Sequence, residues 1–415
     1  MVKTAEQLLE ERKNRVFDAV QLKEPDRVPF MSLITFFTGK YSGLTGEELM
    51  YDYDKLYAAA KRVIVDFEPD MYSNPFGLMA LGPVMEILDY KQLKWPGHDL
   101  NTNSTYQFVE AEHMTADEYD AFLSDPSDFM LRVYFPRILG ALEPLKKLPS
   151  LLATYYLRIP IGAYIFGLPE VSEMLETLIK AGTEALKMLA KAREFTREME
   201  GLGFPPMYGG TAYAPFDYLG DFFRGTKGIM LDMYRNPDKL LQAMDKILPI
   251  LVDSTIDTAG RSGTPYIFIP LHKGLDGFMS LDQFKTFFWP TLRELMIRLI
   301  DADLIPCPLW EGDCTSRLET IKNIPKGKAI YHFERTDLFK AKEVLGDTVC
   351  LRGNVPPSLL NIGTPREVAV YCKKLISEVG KGGGFIMDGA IGVPDEAKPE
   401  NLKAMEETTK TYGIY

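Results

Sequence analysis

The C-terminal part of the chain alternates regularly between short apolar runs and segments with helical spacing. The runs cover residues 266–269, 304–309, 329–333, 348–351 and 384–387. A continuous apolar run of this length is typical of a strand that is buried on both faces. Strands that alternate with helices form parallel sheets with helical crossovers. The sequence therefore predicts an α/β protein.

The first part of the chain supplies further elements. Apolar spacing predicts a helix over residues 5–20, an apolar run predicts a strand over 30–37, and further strand candidates lie near 152 and 206. The total approaches eight, so the fold class predicted is a (β/α)8 TIM barrel, with a doubly wound open sheet as the alternative. We predict a single barrel domain over residues 1–415, in which residues 1–25 form an N-terminal helical extension.

Composition narrows the classes of function. The chain is 46% hydrophobic and carries a net charge of −11, so it lacks the basic surface that nucleic acids or anionic membranes require. We see no apolar run of transmembrane length and no apolar core of a signal peptide. The four cysteines include no CxxC pair. We therefore expect a cytoplasmic protein without nucleic-acid or membrane partners.

Two histidines and one acid follow successive predicted strands. His272, Glu311 and His332 are separated by 39 and 21 residues, or one strand–helix unit each. In a barrel the chemistry lies at the C-terminal ends of the strands, and neighbouring strands are only about 4.8 Å apart. Two imidazoles and a carboxylate suit zinc with an open position, or non-haem iron. The alternative is a hydrogen-bonded core His332 and a solvated Glu311.

Other polar side chains follow the last two predicted strands. Arg352 is placed to hold a substrate carboxylate, and Asn354 and Asp388 are candidate substrate contacts. Alternatively, Arg352 forms a structural ion pair with Asp388 or Glu311. Both interpretations remain open at the level of sequence.

Aromatic residues are concentrated near predicted strand ends and loops of the first half. Tyr213 and Phe216 are the candidates for substrate binding in this group. At a barrel mouth such rings form an apolar pocket for a flat substrate. The alternative is that they pack in the core, as most buried aromatic residues do.

Several motifs resemble the uroporphyrinogen decarboxylase superfamily. They are Arg-Val-Pro at 27–29, Leu-Arg-Gly-Asn-Val-Pro at 351–356, Gly-Thr-Pro-Arg-Glu-Val at 363–368 and Gly-Gly-Phe-Ile-Met at 383–387, followed by similar stretches at 392–394 and 399–405. The resemblance implies a (β/α)8 barrel. Decarboxylases of this superfamily hold tetrapyrrole carboxylates with an arginine- and glycine-rich N-terminal stretch. The matching residues 30–37 contain no arginine, which argues against porphyrinogen decarboxylation.

The other branch of the superfamily comprises cobalamin- and coenzyme-M-linked methyltransferases, which bind zinc through a His-x-Cys pair and a later cysteine. The chain has Leu309-Trp310-Glu311 in place of the pair, and the later cysteine falls near Ala390, so the thiolates are absent. A subgroup associated with corrinoid-dependent O-demethylation in anaerobes is similar over residues 272–274, 278–280, 311–313, 317–319 and 332–333. A Glu/His site would be a harder Lewis acid, better suited to an ether oxygen than to a thiol.

The resemblance implies a methyltransferase that takes a methyl group from a methoxylated, aromatic small molecule. The methyl group would pass to cob(I)alamin on a separate corrinoid protein, because this chain shows no cobalamin-binding module of its own. Zinc at His272, Glu311 and His332 would act on the ether oxygen, with Glu311, Asp337 and Arg352 as the catalytic residues. The alternatives are a metal-free lyase that decarboxylates a carboxylate held by Arg352, and a non-catalytic binding barrel. A homo-oligomer is left open.

Overall fold

The computed structural model describes residues 3–415. Its first element is the helix Ala5–Val20, which begins at a capping box in which the Thr4 side chain accepts a hydrogen bond from the backbone of Gln7. The buried face of this helix carries Val16, Ala19 and Val20. The predicted helix is confirmed with the same bounds.

Within residues 3–415, eight short parallel strands follow the order of a (β/α)8 barrel. They are β1 (Met31–Ser32), β2 (Met71–Tyr72), β3 (Gly210–Thr211), β4 (Tyr266–Leu271), β5 (Ile305–Trp310), β6 (Ile330–Phe333), β7 (Cys350–Val355) and β8 (Phe385–Gly389). Strands β3 to β8 form one parallel sheet in sequence order, and β1 pairs with β2.

Two isolated parallel bridges connect the two sheets at both edges. Phe30, just before β1, bridges to Met387 of β8, and Tyr72 of β2 bridges to Pro206, which precedes β3. The strands therefore follow one another around a ring, and the predicted (β/α)8 fold class is confirmed. A short antiparallel pair, Leu93–Lys94 with Gln107–Phe108, lies outside this ring.

Helices connect the strands and cover their outer faces. The α-helices after the first are Phe37–Ser42, Gly46–Tyr51, Tyr53–Phe67, Gly82–Leu88, Tyr119–Ser124, Pro126–Phe129, Phe135–Ile138, Arg158–Gly162, Pro169–Gly201, Pro215–Leu219, Gly225–Arg235, Pro237–Ser262, Leu281–Gln283, Trp289–Asp301, Leu318–Ile321, Leu338–Leu345, Pro357–Asn361, Pro365–Glu378 and Pro399–Tyr412. Short π-helical turns occupy Met130–Tyr134, Gly220–Arg224 and Phe284–Phe288. No helix within the described residues is long and apolar enough to cross a membrane.

The strand prediction near 152 is wrong. Leu151–Ala153 forms an exposed 3-10 turn, and the second strand is instead Met71–Tyr72. Of the strand predicted over residues 30–37, only Met31–Ser32 is a strand in the structure. Strands of two residues are too short to show a hydrophobic period, so the sequence does not reveal where they lie.

Apolar side chains pack both around the outside of the barrel and across its floor. Outward-facing side chains, including Trp310, Tyr331 and Phe333, pack against the helices in the largest cluster. A second cluster fills the floor of the barrel, where strand residues such as Ile305 and Ile330 meet the buried face of the helix Ala5–Val20. The N-terminal helix therefore closes the bottom of the barrel.

A buried carboxylate joins this helix to the barrel. Asp70, which is fully buried, accepts hydrogen bonds from Arg15 of the helix at 2.6 Å and from Arg27 at 2.9 Å. It also accepts the backbone N–H of Phe30, just before β1, at 2.7 Å. One side chain thus holds the floor helix, the first strand and the approach to the second strand together.

We predict that Asp70→Ala lowers the free energy of unfolding by about 3–5 kcal/mol, because it removes the fully buried anion that Arg15 and Arg27 share and leaves the backbone N–H of Phe30 without its acceptor. The measurement is urea denaturation followed by circular dichroism. The matched control is Glu294→Ala, which breaks an exposed pair with Arg298 and should change stability by less than about 1 kcal/mol. Equal effects of the two variants would contradict the structural role of Asp70.

Candidate active site at the barrel mouth

A buried aspartate fixes the backbone just beyond β4. Asp217, in the helix Pro215–Leu219, accepts the backbone N–H groups of His272 and Lys273, each at 3.0 Å. Its side chain is fully buried, and burial together with the nearby Asp221 raises the pKa of Asp217 to about 7. This pair of hydrogen bonds sets the direction in which the His272 side chain leaves the end of the strand.

A second aspartate holds the imidazole itself. Asp221 lies in the π-helical turn Gly220–Arg224, and one of its oxygens is 2.6 Å from Nδ1 of His272. Its other oxygen accepts a hydrogen bond from Nζ of Lys273. Burial opposes ionisation of Asp221, but these two partners outweigh it and lower its pKa. Asp221 is therefore an anion that orients the imidazole.

The free edge of the imidazole faces a third carboxylate. Nε2 of His272 is 3.5 Å from Oε1 of Glu311, which directly follows β5. Both side chains are just over a third exposed, so this edge is accessible from the barrel mouth. Burial disfavours the imidazolium, but the hydrogen bond to Asp221 and the surrounding carboxylates raise the pKa of His272 to about 9. Burial raises the pKa of Glu311.

His332 does not join this group. In β6 it pairs with Leu309, two residues before Glu311, so it lies about 6–7 Å deeper along the strands. It is 2% exposed, and its Nε2 lies 2.8 Å from the carbonyl oxygen of Gly389. Because a carbonyl only accepts, Nε2 carries the proton. Burial and then the charge of Arg352 hold the pKa of His332 well below its usual range.

The predicted three-ligand metal set is therefore not assembled. His272 and Glu311 meet at the mouth, but His332 is one pleat deeper and bonded elsewhere. Among residues 3–415, no three histidine, cysteine, aspartate or glutamate side chains are arranged to hold a metal ion. A histidine ligand must also be unprotonated, whereas the carboxylates around His272 favour its charged form. The donor set therefore does not fit zinc.

Arg352 and Asp388 form a buried ion pair instead of contacting a substrate. Nε and Nη2 of Arg352 donate to Oδ2 of Asp388 at 2.8 and 2.6 Å, and Nη1 donates to the hydroxyl of Tyr208 at 2.7 Å. Both members of the pair are fully buried. The ion-pair interpretation is confirmed. The roles predicted for Arg352 in catalysis and for Asp388 in substrate binding are wrong, because both groups bind each other away from the mouth.

Two further predicted site residues have local structural roles. Asp337 is exposed and caps the helix Leu338–Leu345 by accepting two backbone N–H groups of its first turn. Asn354 is buried, donates to the carbonyl of Thr336 and accepts from the hydroxyl of Tyr371. Both side chains also line a cavity of about 490 Å³, together with Thr336, Pro356 and Tyr371. The catalytic role of Asp337 and the substrate contact of Asn354 therefore stay predictions.

The two aromatic candidates differ. Phe216 is fully buried and packs against Phe288 at a ring separation of 5.8 Å, so it belongs to the core and its predicted substrate contact is wrong. Tyr213 is half-buried, and its pKa is raised by burial and then by Asp221 and Tyr106. The ring of Tyr213 packs edge-to-face against Phe222, which directly follows Asp221 in the chain, and Tyr213 stays a candidate substrate contact.

Sequence reasoning missed Asp217 and Asp221. The available signal was their spacing of four residues, which places two carboxylates on one face of a helical segment. This segment follows directly after β3, at the end of the barrel where chemistry is expected. The aromatic residues around this segment indicate an apolar pocket and so conceal the acidic pair in the sequence pattern.

Comparison with known proteins identifies the family. The model of the family described as uroporphyrinogen decarboxylase (URO-D) matches residues 164–412, more than half of the chain. The chain belongs to the uroporphyrinogen decarboxylase family. The family resemblance predicted from the motifs is thus confirmed, and the chain is placed in a family of enzymes.

One curated relative is the uroporphyrinogen decarboxylase of Chlorobium phaeovibrioides, which is 26% identical over 191 residues. The match covers 43% of this chain and 50% of the relative. The enzyme of the same name from Coxiella burnetii is 27% identical over 185 residues, covering 44% and 50%. The chain spans about half the length of these two relatives.

A solved structure confirms the fold over a longer stretch. A methyltransferase from Methanosarcina mazei superposes with a TM-score of 0.64 at 15% identity, covering 96% of this chain and 98% of the other. At this identity the similarity establishes the shared fold. It bears on activity only as support for a proposal.

We predict that, in metal-free protein, His272 titrates near pH 9 by NMR. Because this pKa lies above the ordinary 6.5, the stability that His272 contributes is fully present below pH 6.5 and lost as the pH rises through about 9. Asp221→Asn should lower the pKa of His272 and weaken this pH dependence. The control is Asp313→Asn, an exposed carboxylate two residues beyond Glu311. An unchanged titration in Asp221→Asn would refute the assigned contact.

We also predict that His332 is not a metal ligand. His332→Gln should leave the zinc content of the purified protein equal to that of the wild type, because His332 is buried below the level of Glu311 and its Nε2 donates to the carbonyl of Gly389. Elemental analysis of both proteins after equilibration with zinc is the measurement. A loss of one zinc equivalent in this variant would restore the predicted three-ligand site.

Proposed function

We propose that this chain is a methyltransferase that removes the methyl group from a methoxylated, aromatic small molecule and passes it to cob(I)alamin on a separate corrinoid protein. The observation that carries the proposal is the rim of the barrel mouth, where His272 stands between Asp221 and Glu311 with its Nε2 edge accessible. The similarity to a methyltransferase structure supports it.

The chemistry required is release of a poor leaving group. The methyl carbon is transferred to the cobalt, which supplies the electron pair of the new bond as cobalt(I) becomes cobalt(III). The bond between this carbon and the ether oxygen breaks, and its electron pair goes to the oxygen. A proton donor beside the oxygen lowers the barrier by neutralising this developing charge. In our proposal Nε2–H of His272 donates this proton.

Each neighbour of His272 has a part in this step. Asp221 accepts from Nδ1, so it stabilises the imidazolium and aims Nε2 at the mouth. Asp217 fixes the backbone of His272 through its N–H group. Glu311 lies 3.5 Å from Nε2, and the partial exposure of both side chains leaves this edge open to a substrate oxygen from the mouth. After the transfer, Glu311 or water returns a proton to the imidazole.

Aromatic side chains beside the acidic rim suit a flat substrate. Tyr213 stacks edge-on against Phe222 at 5.2 Å, and Tyr106 meets Phe36 at 5.5 Å in the same geometry. Rings held in this way are rigid apolar surfaces with a polar hydroxyl at one end. We propose that Tyr213 contacts the aromatic ring of the substrate.

The corrinoid protein must approach the open mouth, because the methyl carbon has to come within bonding distance of the cobalt. We place this reaction in the cytoplasm, where the four buried free cysteines would remain reduced. The zinc predicted from the sequence has no part in the proposal, since the residues present do not fit it.

A decarboxylase-like lyase is the second candidate, and the names of the curated relatives favour it. Such an enzyme needs a cation free to hold the substrate carboxylate. Arg352 is bound to Asp388 and buried, and residues 30–37 contain no arginine. The geometry therefore favours methyl transfer.

We predict that the protein transfers methyl groups from methoxyarenes to cob(I)alamin, followed by the absorbance of the methylated corrinoid. His272→Gln should lower the rate by roughly 100-fold or more, the usual effect of losing a general acid. Asp313→Asn is the control and should retain the wild-type rate.

Full activity of His272→Gln would refute the assigned proton donor. Release of carbon dioxide from a carboxylate substrate without any corrinoid, together with no methyl transfer, would favour the lyase instead.

A further inference from the structure

A cavity of about 600 Å³ lies beneath the barrel, at the end opposite the candidate active site. The floor helix Ala5–Val20 forms one side of this floor cavity, and the residues around the starts of β4 and β5, including Pro265 and Ile305, form another. The turn before β6, residues 326–328, completes it. Because β4 and β5 have six residues each and so span about 20 Å, the floor cavity is separate from the rim that follows their other ends.

The size of the floor cavity is that of a small-molecule site. Such sites enclose about 300–1,000 Å³ and are lined mainly by apolar side chains, with a few polar groups in fixed positions. The apolar part of the lining includes Val20, Ile300, Leu304, Ile305 and Phe17. Phe17 is 44% exposed, so a large part of its ring is free to contact a ligand.

The charged part of the lining is mainly cationic. It comprises Lys23, Lys326, Lys328 and Asp303, so three cations stand against one carboxylate. The surrounding sequence is unusual for this chain. Residues 320–333 contain three lysines and no aspartate or glutamate, whereas the whole chain has 58 acidic residues against 47 basic ones. A cationic edge therefore meets an apolar wall within one cavity.

The lysines of this edge lack acids that would neutralise them. Within residues 3–415, no carboxylate oxygen lies within 4.0 Å of Nζ of Lys326 or Lys328, and Lys23 meets only Asp18, at 4.0 Å. Nζ of Lys23 donates instead to the amide oxygen of Gln21 at 2.6 Å. Positive charge that the protein does not itself neutralise attracts an anion.

The glycine between two of these lysines fixes the turn that carries them. Gly327 has a φ of +67°, which glycine adopts readily, and its backbone N–H donates to the carbonyl oxygen of Thr348 at 2.8 Å. A Cβ built at Gly327 would lie 3.4 Å from Cα of Gln21, just after the floor helix, so the turn packs closely against that helix. The backbone on both sides of Gly327 is therefore fixed relative to the apolar wall.

We propose that the floor cavity is a binding site for a small organic acid with an apolar body. The apolar body lies against Phe17 and its apolar neighbours, and the carboxylate accepts hydrogen bonds from the ammonium groups of Lys326 and Lys328. Such charge-assisted hydrogen bonds are about twice as strong as neutral ones. The proposal is independent of the proposed methyl transfer, because the reactive groups lie at the other end of the strands.

The test is isothermal titration calorimetry with octanoate, which combines a carboxylate with an apolar chain. The wild type should bind one octanoate per chain with a Kd of about 1 mM or below, as expected for a ligand of this size. Acetate, which lacks the chain, and 1-octanol, which lacks the charge, should each bind at least about 10-fold more weakly. Equal binding of 1-octanol would show that the lysines have no part in recognition and would overturn the proposal.

Two variants test the two parts of the lining. Lys326→Ala/Lys328→Ala should weaken octanoate binding about 10-fold or more, and Phe17→Ala should weaken it about 5-fold. All three side chains are exposed, so the circular dichroism spectra should be unchanged. The matched control, Lys180→Ala/Lys246→Ala, removes two exposed lysines outside the cavity and should bind octanoate as the wild type does.

Three further outcomes would overturn the proposal. The first is a wild type that does not bind octanoate, and the second is unchanged binding in Lys326→Ala/Lys328→Ala. The third is loss of octanoate binding in His272→Gln, which would place the probe at the barrel mouth, whereas we expect this variant to bind like the wild type. If the wild type instead sediments with phosphatidylglycerol vesicles and does not bind octanoate, the lysines serve an anionic lipid surface and the proposal is wrong.

Discussion

The candidate site depends on one buried carboxylate and two backbone N–H groups. Asp217 joins the helical segment after β3 to the end of β4, at His272 and Lys273. A buried carboxylate is stable only when its lone pairs are used, so the contact constrains both elements at once. With the backbone of His272 fixed, Asp221 on the next helical turn meets the imidazole, and the edge that remains free turns toward Glu311.

Polar groups inside the barrel lie at two levels with different uses. At the lower level, Arg352 and Asp388 pair with each other, Nε2 of His332 donates to the carbonyl of Gly389, and all three side chains are sealed from solvent. At the upper level, His272 and Glu311 are partly exposed. The difference between the levels is a single pleat of the sheet. Residue types alone do not distinguish them, because both levels face the barrel interior.

The sequence predicts those parts of the structure whose signals are local. The capping box at Thr4 and the apolar runs of β4 to β8 locate their elements within a few residues. The strand Met71–Tyr72 has only two residues, so it shows no hydrophobic period in the sequence, and its position is set by pairing with β1. For the site, sequence places His272 and Glu311 together but puts His332 at the same height. The relative height of two strands is a property of the sheet register, which no local pattern encodes.

The connection between β2 and β3 supports the candidate site without carrying its reactive groups. His272, Glu311 and both aspartates of the rim follow β3, β4 and β5. The turn that carries Asp221 is nevertheless held by this connection, because the carbonyl of Phe223 accepts the backbone N–H groups of His113 and Met114. A substitution far from the rim in sequence can therefore displace the acid that orients the imidazole.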